Sequence, residues 1–324
     1  MPHTYSGFGL SLQSDCAIPG LSPAGPLRSI DTQLWLSAGL PPALGRRAGE
    51  PWYASTDEEG SVPALRVWRL KDGCYFHLLY ADGTEFIVDR AGAKVWARWP
   101  SSSTLADTAT YLLGPVLGFV LRLRGVTCLH GSAVSGRDAA IALVGPQGAG
   151  KSTTAALFAQ LQYSILADDI TPVSRHEGSW QVRPTYPQLR LWPDVVDALY
   201  GSPDALRPLT PTWPKRGLDL TSPGNRFEHR CLPLAAIYLL RDCRSDAAPA
   251  VEPVEGRAGL LALVGNTYMS YLLESPMRRR EFEDLSALAA DVPVRSVTYP
   301  RDLRQVSRVC STILEDWGTL GCTA

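Results

Sequence analysis

The sequence predicts an α/β fold, with a smaller β-rich domain ahead of a larger mixed core, and three stretches predict it. Residues 64–89 contain strand-like runs separated by Asp-Gly turn signals. Residues 139–162 pass from a short apolar run through a glycine-rich loop into a run of Ala, Leu and Gln that favours helix. Residues 164–169 form a second apolar run that ends in two carboxylates.

Composition narrows the function classes. The 324 residues suffice for one large domain or two ordinary ones, and 45% hydrophobic with 19% charged residues is the balance of a globular chain with a sizeable core. A net charge of −1 gives no electrostatic ground for bulk nucleic-acid binding or for an anionic membrane. The 7 cysteines are odd in number, irregularly spaced and without a C-x-x-C pair, which supports neither a zinc site nor a disulfide framework; they read as reduced thiols of a cytoplasmic protein. Residues 1–5 lack the basic region and apolar core of a signal peptide, and the longest apolar stretch, residues 111–121, is too short to span a bilayer.

In chain order, residues 1–60 are rich in Gly, Pro and Ser and predict loops and short strands. Residues 64–70, 74–80 and 84–89 predict an antiparallel meander with Trp68, Phe76 and Phe86 as core or interface residues, and His77 reads as a partly buried strand residue rather than a ligand. Ser101-Ser102-Ser103-Thr104 supplies a helix cap, and a helix over residues 105–124 is kinked or broken at Pro115. The expected division is therefore a β-rich N-terminal domain over residues 1–100, for recognition of substrate or partner, a helical connector over 101–125, and the core over 126–324.

Residues 126–134 and 139–144 predict a hairpin closed by Ser135-Gly136-Arg137-Asp138. Pairing Val134 with Ala139 sets His130 opposite Leu143, beside the strand end that feeds the glycine loop, so Leu129-His130-Gly131 becomes a candidate active-site element. The loop itself, Gly145-Pro146-Gln147-Gly148-Ala149-Gly150-Lys151-Ser152 with Thr153 following, fits G-x-x-x-x-G-K-[ST], the phosphate-binding loop of nucleotide-binding proteins. Gly145 and Gly150 free the backbone to turn its N–H groups toward one centre, Lys151 reaches the β- and γ-phosphates, and the Ser152 hydroxyl is a Mg²⁺ ligand. Asp168-Asp169 at the next strand end suits metal holding by one carboxylate and proton acceptance by the other.

Beyond the pair, residues 194–200 predict a helix, and residues 206–225 a long loop in which Lys215 and Arg216 are candidates for a phosphate or substrate contact. A strand over 234–240, helices over 256–273 and 281–290, a strand over 294–299 and a closing amphipathic helix over 302–317 complete the chain.

With His130-Gly131, the glycine loop and Asp168-Asp169 in place, residues 129–173 resemble the catalytic core of bacterial HPr kinase/phosphorylase, a P-loop kinase-like fold. The family's E-x-R-G-x-G segment has no counterpart; Gln188-Leu189-Arg190-Leu191 is the nearest text, so neither HPr as acceptor nor phosphorylase activity carries over with the motif. The whole chain is similar to the HPr-kinase-like proteins of lasso-peptide biosynthesis. That resemblance implies ATP-dependent phosphorylation of a serine hydroxyl on a precursor peptide or small protein. It further implies Mg²⁺ on Ser152 and Asp168, Asp169 as the base, a γ-phosphate- or aspartate-orienting role for His130, and a homo-oligomer. The residues leave the order of the two aspartates open. They also leave open an HPr-like phosphocarrier or free serine as acceptor, and a nucleotide-hydrolysing switch without an acceptor. No N-K-x-D guanine-reading segment and no L-S-G-G-Q stretch occur.

Overall fold

The computed structural model describes residues 2–37, 39–41, 49–56, 58–59, 62–243, 248–300 and 306–320 of the chain. It is a mixed α/β structure that divides into two compact units, residues 1–124 and 125–324.

The first unit is built on one sheet in the order β1 (His3–Gly7), β2 (Leu10–Ser14), β3 (Thr32–Trp35), β10 (Lys94–Arg98), β9 (Glu85–Asp89), β8 (Tyr75–Tyr80), β7 (Leu65–Leu70) and β4 (Tyr53–Ala54). A separate ribbon pairs β5 (Glu58–Glu59) with β6 (Val62–Pro63). Strands β7 to β9 are the meander read from the Asp-Gly turns, and Trp68, Phe76 and Phe86 are all buried. His77 is also buried, with its Nε2 2.6 Å from Glu85 Oε2, and Arg98 bonds the other oxygen of Glu85. Helices α1 (Leu105–Tyr111) and α2 (Leu117–Leu123), expected as a connector, cluster with this unit. Thr104 caps α1 in a reciprocal box with Asp107. A π-turn at Leu112–Val116 carries Pro115, and Gly114 inside it leaves helical geometry (φ −116°, ψ −110°), so the break falls where proline removes a helix donor. Phe119 packs edge-on against Phe76 at 5.0 Å between ring centroids, and Tyr111 stacks on Tyr80 at 4.0 Å.

In the second unit, β11 (Thr127–Ser135) pairs antiparallel with β12 (Ala140–Val144), β13 (Ser164–Ala167) and β14 (Ile170–His176), and β14 pairs with β15 (Ser179–Val182). Strand β18 (Leu232–Cys243) joins β15, runs parallel to both β12 and β20 (Val294–Pro300), and β19 (Ala250–Pro253) closes the edge beyond β20. Side chains alternate between the two faces of these strands. Ile141, Leu143, Ala236, Tyr238 and Leu240 meet α3 (Lys151–Gln160) and α7 (Val306–Thr319) in one core. Ala140, Ala142, Val144, Ile237 and Leu239 meet α5 (Gly256–Val264) and α6 (Ser275–Asp291) in the other.

Three expectations need correction. The hairpin register is Ser135 with Ala140 and Ser132 with Leu143, not Val134 with Ala139. The four-residue turn is thus shifted one residue along the chain, to 136–139, and His130 falls beyond the last residue paired with β12, Gly131 opposite Val144. The long loop expected over 206–225 contains a strand, β17 (Arg216–Asp219), which pairs antiparallel with β16 (Gln188–Leu191). Short runs rich in Gly and Pro gave no periodicity to reveal it. The helix expected over 256–273 stops at Val264, and the chain turns through Asn266–Met269 into a single 3₁₀ turn, Ser270–Leu272. Helix α4 (Pro193–Tyr200) follows β16 directly, with proline in its first turn. Of the closing helix, residues 302–305 lie outside the described residues, as does Cys322; among the described cysteines, Cys16, Cys74, Cys128, Cys231 and Cys310 are free thiols. No helix of the described residues is long and apolar enough to cross a membrane.

Candidate active site

Strand β12 ends at Val144 and α3 begins at Lys151, and the loop between them bends where its glycines permit. Gly150 takes φ +80° as the residue before the helix, a conformation that disfavours any Cβ. At Gly145 an added Cβ would come within 2.8 Å of the Leu240 carbonyl on the neighbouring strand. Lys151 is 7% exposed, and its ammonium donates to the carbonyls of Gly145 (2.8 Å) and Pro146 (2.9 Å). The Tyr299 hydroxyl donates to the Ala149 carbonyl and ties the loop to β20.

The two aspartates that end β13 face different surroundings. Asp168 is 2% exposed and accepts three hydrogen bonds: from Ser132 Oγ (2.7 Å) and Ser152 Oγ (2.8 Å) on Oδ1, and from the Arg190 backbone N–H (3.1 Å) on Oδ2. Asp169 takes a left-handed backbone conformation, φ +67°, which aspartate tolerates better than most residues. The turn brings its side chain to a cleft of about 500 Å³ lined also by His130, Gln147, Gly148, Gly150, Lys151, Ser152 and Thr153. There Tyr268 donates to Asp169 Oδ2 at 3.1 Å, and His130 Nε2 lies 3.5 Å from Oδ1.

The rest of the lining comes from Arg190 on β16, Trp192 between β16 and α4, Asp194 in α4, and Lys215 just before β17. Arg190 is 7% exposed, with its guanidinium over the rings of Tyr186 (5.5 Å) and Trp213 (6.0 Å). Lys215 Nζ sits 5.0 Å from the ring centroids of both Trp192 and Trp213. Arg216 turns away to Asp204 at 2.8 Å.

Burial dominates the electrostatics. It lowers the pKa of His130, helped by the charge of Lys151 and opposed by Asp169 and Asp168, so the imidazole is mostly neutral at neutral pH. It lowers both Lys151 and Lys215 as well, with the two aspartates pulling the other way. It raises the Tyr268 hydroxyl well above its ordinary value, and the charge of Asp169 adds to the rise, so Tyr268 remains a hydrogen-bond donor.

Of the residues singled out in the sequence, His130, Lys151, Ser152 and Asp169 meet at the cleft, with Asp168 beneath it. Gln147, Gly148, Gly150 and Thr153 line the cleft, whereas Gly145, Pro146 and Ala149 act through their backbone carbonyls. Ser132, Arg190, Trp192, Tyr268 and Tyr299 were not singled out. Ser132 had a signal, since it stands two residues from His130 on the same strand and so shares its face. Tyr268 had none, because only the turn after α5 brings it to Asp169.

No family model matches the chain, and no curated protein matches it. Among solved structures it is similar to the Hpr(Ser) kinase/phosphatase from Coxiella burnetii, with 7% identity, 60% of this chain and 99% of that chain covered, and a TM-score of 0.32. A likeness of that size carries no argument by itself; the mixed α/β architecture and the cleft stand on the protein's own geometry.

Proposed function

We propose that the chain is an ATP-dependent kinase with a P-loop core, which transfers a phosphoryl group to a serine hydroxyl of a peptide or small protein, a lasso-type precursor peptide being the acceptor class. One observation carries the reading. Ser152, the hydroxyl at the start of the helix after the glycine loop, is bonded to Asp168, while the next residue, Asp169, faces the same cleft as Lys151. A nucleotide-binding loop, a buried carboxylate beside its hydroxyl and a second carboxylate free to meet an acceptor are the parts that phosphoryl transfer needs.

Mg²⁺ fits this site. It binds through one or two protein oxygens together with phosphates and water, and Asp168 with Ser152 would supply them. When bound, the ion neutralises charge on the phosphate oxygens. The loop N–H groups and Lys151 hold the triphosphate. The three hydrogen bonds that Asp168 accepts support the metal side for it in this reading, and the exposure of Asp169 to the cleft supports the role of taking the acceptor proton. Tyr268 and His130 flank Asp169 and orient it.

The test is mass spectrometry of the acceptor, with Mg-ATP and in parallel a precursor peptide encoded beside the gene, free serine and an HPr-like protein. The expected result is a gain of one phosphate on a peptide serine, lost in Lys151→Ala, with rate losses of ~10²-fold or more. Asp169→Asn should keep nucleotide binding and lose transfer. ATP consumption without a phosphorylated product in any tube would overturn the reading in favour of a nucleotide switch.

A further inference from the structure

Among the described residues, Lys215 lines the cleft as a cation with no ion-pair or hydrogen-bond partner. Lys151 directs two of its three donors to loop carbonyls, and Arg190 lies buried between aromatic rings. The ammonium of Lys215, among the described residues, makes neither an ion pair nor a hydrogen bond; its contacts are the faces of Trp192 and Trp213, each 5.0 Å from Nζ. Two ring faces fix where the charge stands without using any of its three N–H donors.

The backbone fixes the other end of the side chain. Lys215 directly precedes β17, its carbonyl accepts the Leu209 N–H, and β17 pairs with β16, whose Arg190 N–H binds Asp168. The lysine is thus carried on the same two-stranded ribbon that reaches the aspartate pair, on the wall of the cleft that does not contain the glycine loop. A half-buried ammonium with its donors unmet gains most when an anion arrives.

We propose that Lys215 is a further catalytic residue, a cation that contacts the phosphoryl group as it passes from nucleotide to acceptor. The inference rests on the kinase reading above. In the step, the bond from the γ-phosphorus to the β–γ bridging oxygen breaks and a bond to the acceptor oxygen forms. The acceptor proton passes to Asp169, and ADP leaves with the bridging electrons. Charge spreads over the three oxygens of the phosphoryl group in transit, and Lys215 meets it from a different segment of the lining than Lys151, so its contact strengthens on the way to the transition state. The two tryptophans and the ribbon are its positioning elements.

The experiment measures binding of Mg-ADP alone, and of Mg-ADP with aluminium fluoride as the mimic of the phosphoryl in transit, to the full chain. It compares Lys215→Met, which keeps the stem between the indoles and removes the charge, with Lys215→Arg and Lys151→Ala. Lys215→Met should bind Mg-ADP within about twofold of the parent and the fluoride complex ~10²-fold more weakly, while Lys215→Arg recovers most of the loss. Equal affinity of parent and Lys215→Met for the fluoride complex would overturn the inference and leave the kinase reading standing. An equal loss for both ligands would overturn it too, in favour of ground-state nucleotide binding. A parent chain that binds neither ligand would overturn the kinase reading, and this inference with it.

Discussion

At the scale of single residues, the site separates two adjacent carboxylates that share one sequence signal. Asp168 is buried and accepts donors from three different segments, Ser132, Ser152 and the Arg190 backbone. Asp169 turns out of the strand through a left-handed conformation and meets Tyr268 instead. Strand alternation alone would part the two side chains; the positive φ takes Asp169 out of the ladder into the cleft. Tyr268→Phe removes one hydrogen bond to the proposed base without changing the shape of the buried ring. Such a bond to a charged group is worth roughly 1.5–3 kcal/mol, so kcat should fall about tenfold or more with KM for ATP unchanged. Steady-state kinetics with a phosphorylated acceptor checks it, and an increase in KM alone would remove Tyr268 from the positioning of Asp169.

At the scale of elements, cross-strand partners decide more than strand identity does. In the first unit, Glu85 on β9 and His77 on β8 are both about 5% exposed and hydrogen-bonded, and Arg98 on β10 pairs with the same carboxylate. Burial on its own would raise the Glu85 pKa, but the hydrogen bonds from His77 and Arg98 outweigh it and hold it below the ordinary value of 4.5. As the pH falls, the unfolded chain therefore takes up its proton first. The stabilisation from Glu85 is complete above the unfolded pKa and is lost as the pH drops through the folded one. Glu85→Ala leaves His77 buried without its carboxylate and should cost roughly 3 kcal/mol at neutral pH. Denaturant melts at pH 7 and pH 4 check both points: the variant should lose less on acidification than the parent. In the second unit, the two-residue shift of pairing between β11 and β12 is what sends His130 past the end of β12 and sets Ser132 opposite Leu143, within reach of Asp168.

At the scale of the molecule, each unit has its own core, and the cleft lies wholly in residues 125–324. Two apolar layers cover the two faces of β12 and β18, and they hold the loop and the aspartate pair on strands that cannot slip by one residue without turning every side chain over. Mg-ATP should accordingly slow amide hydrogen exchange in residues 145–154, 167–170 and 188–191 and leave residues 65–98 unchanged. Mass-spectrometric exchange at neutral pH, with and without nucleotide, measures this, and protection confined to the first unit would place the nucleotide elsewhere.

The sequence by itself determined the local chemistry of this protein. The strand–loop–helix over 139–160, the carboxylates at a strand end, the meander between Asp-Gly turns and the break at Pro115 all depend on neighbours in the chain, and periodicity and turn residues carry such information. Only the tertiary structure decided which distant residues complete the cleft. Tyr268 arrives from the turn after α5 and Tyr299 from the last strand, and Lys215, a candidate contact from the sequence, meets Trp192 from beyond β16 only because β16 pairs with β17. Contacts across 99 and 150 positions of sequence are set by strand register and by the burial of two cores. Those are properties of the assembled sheet, which no local pattern records.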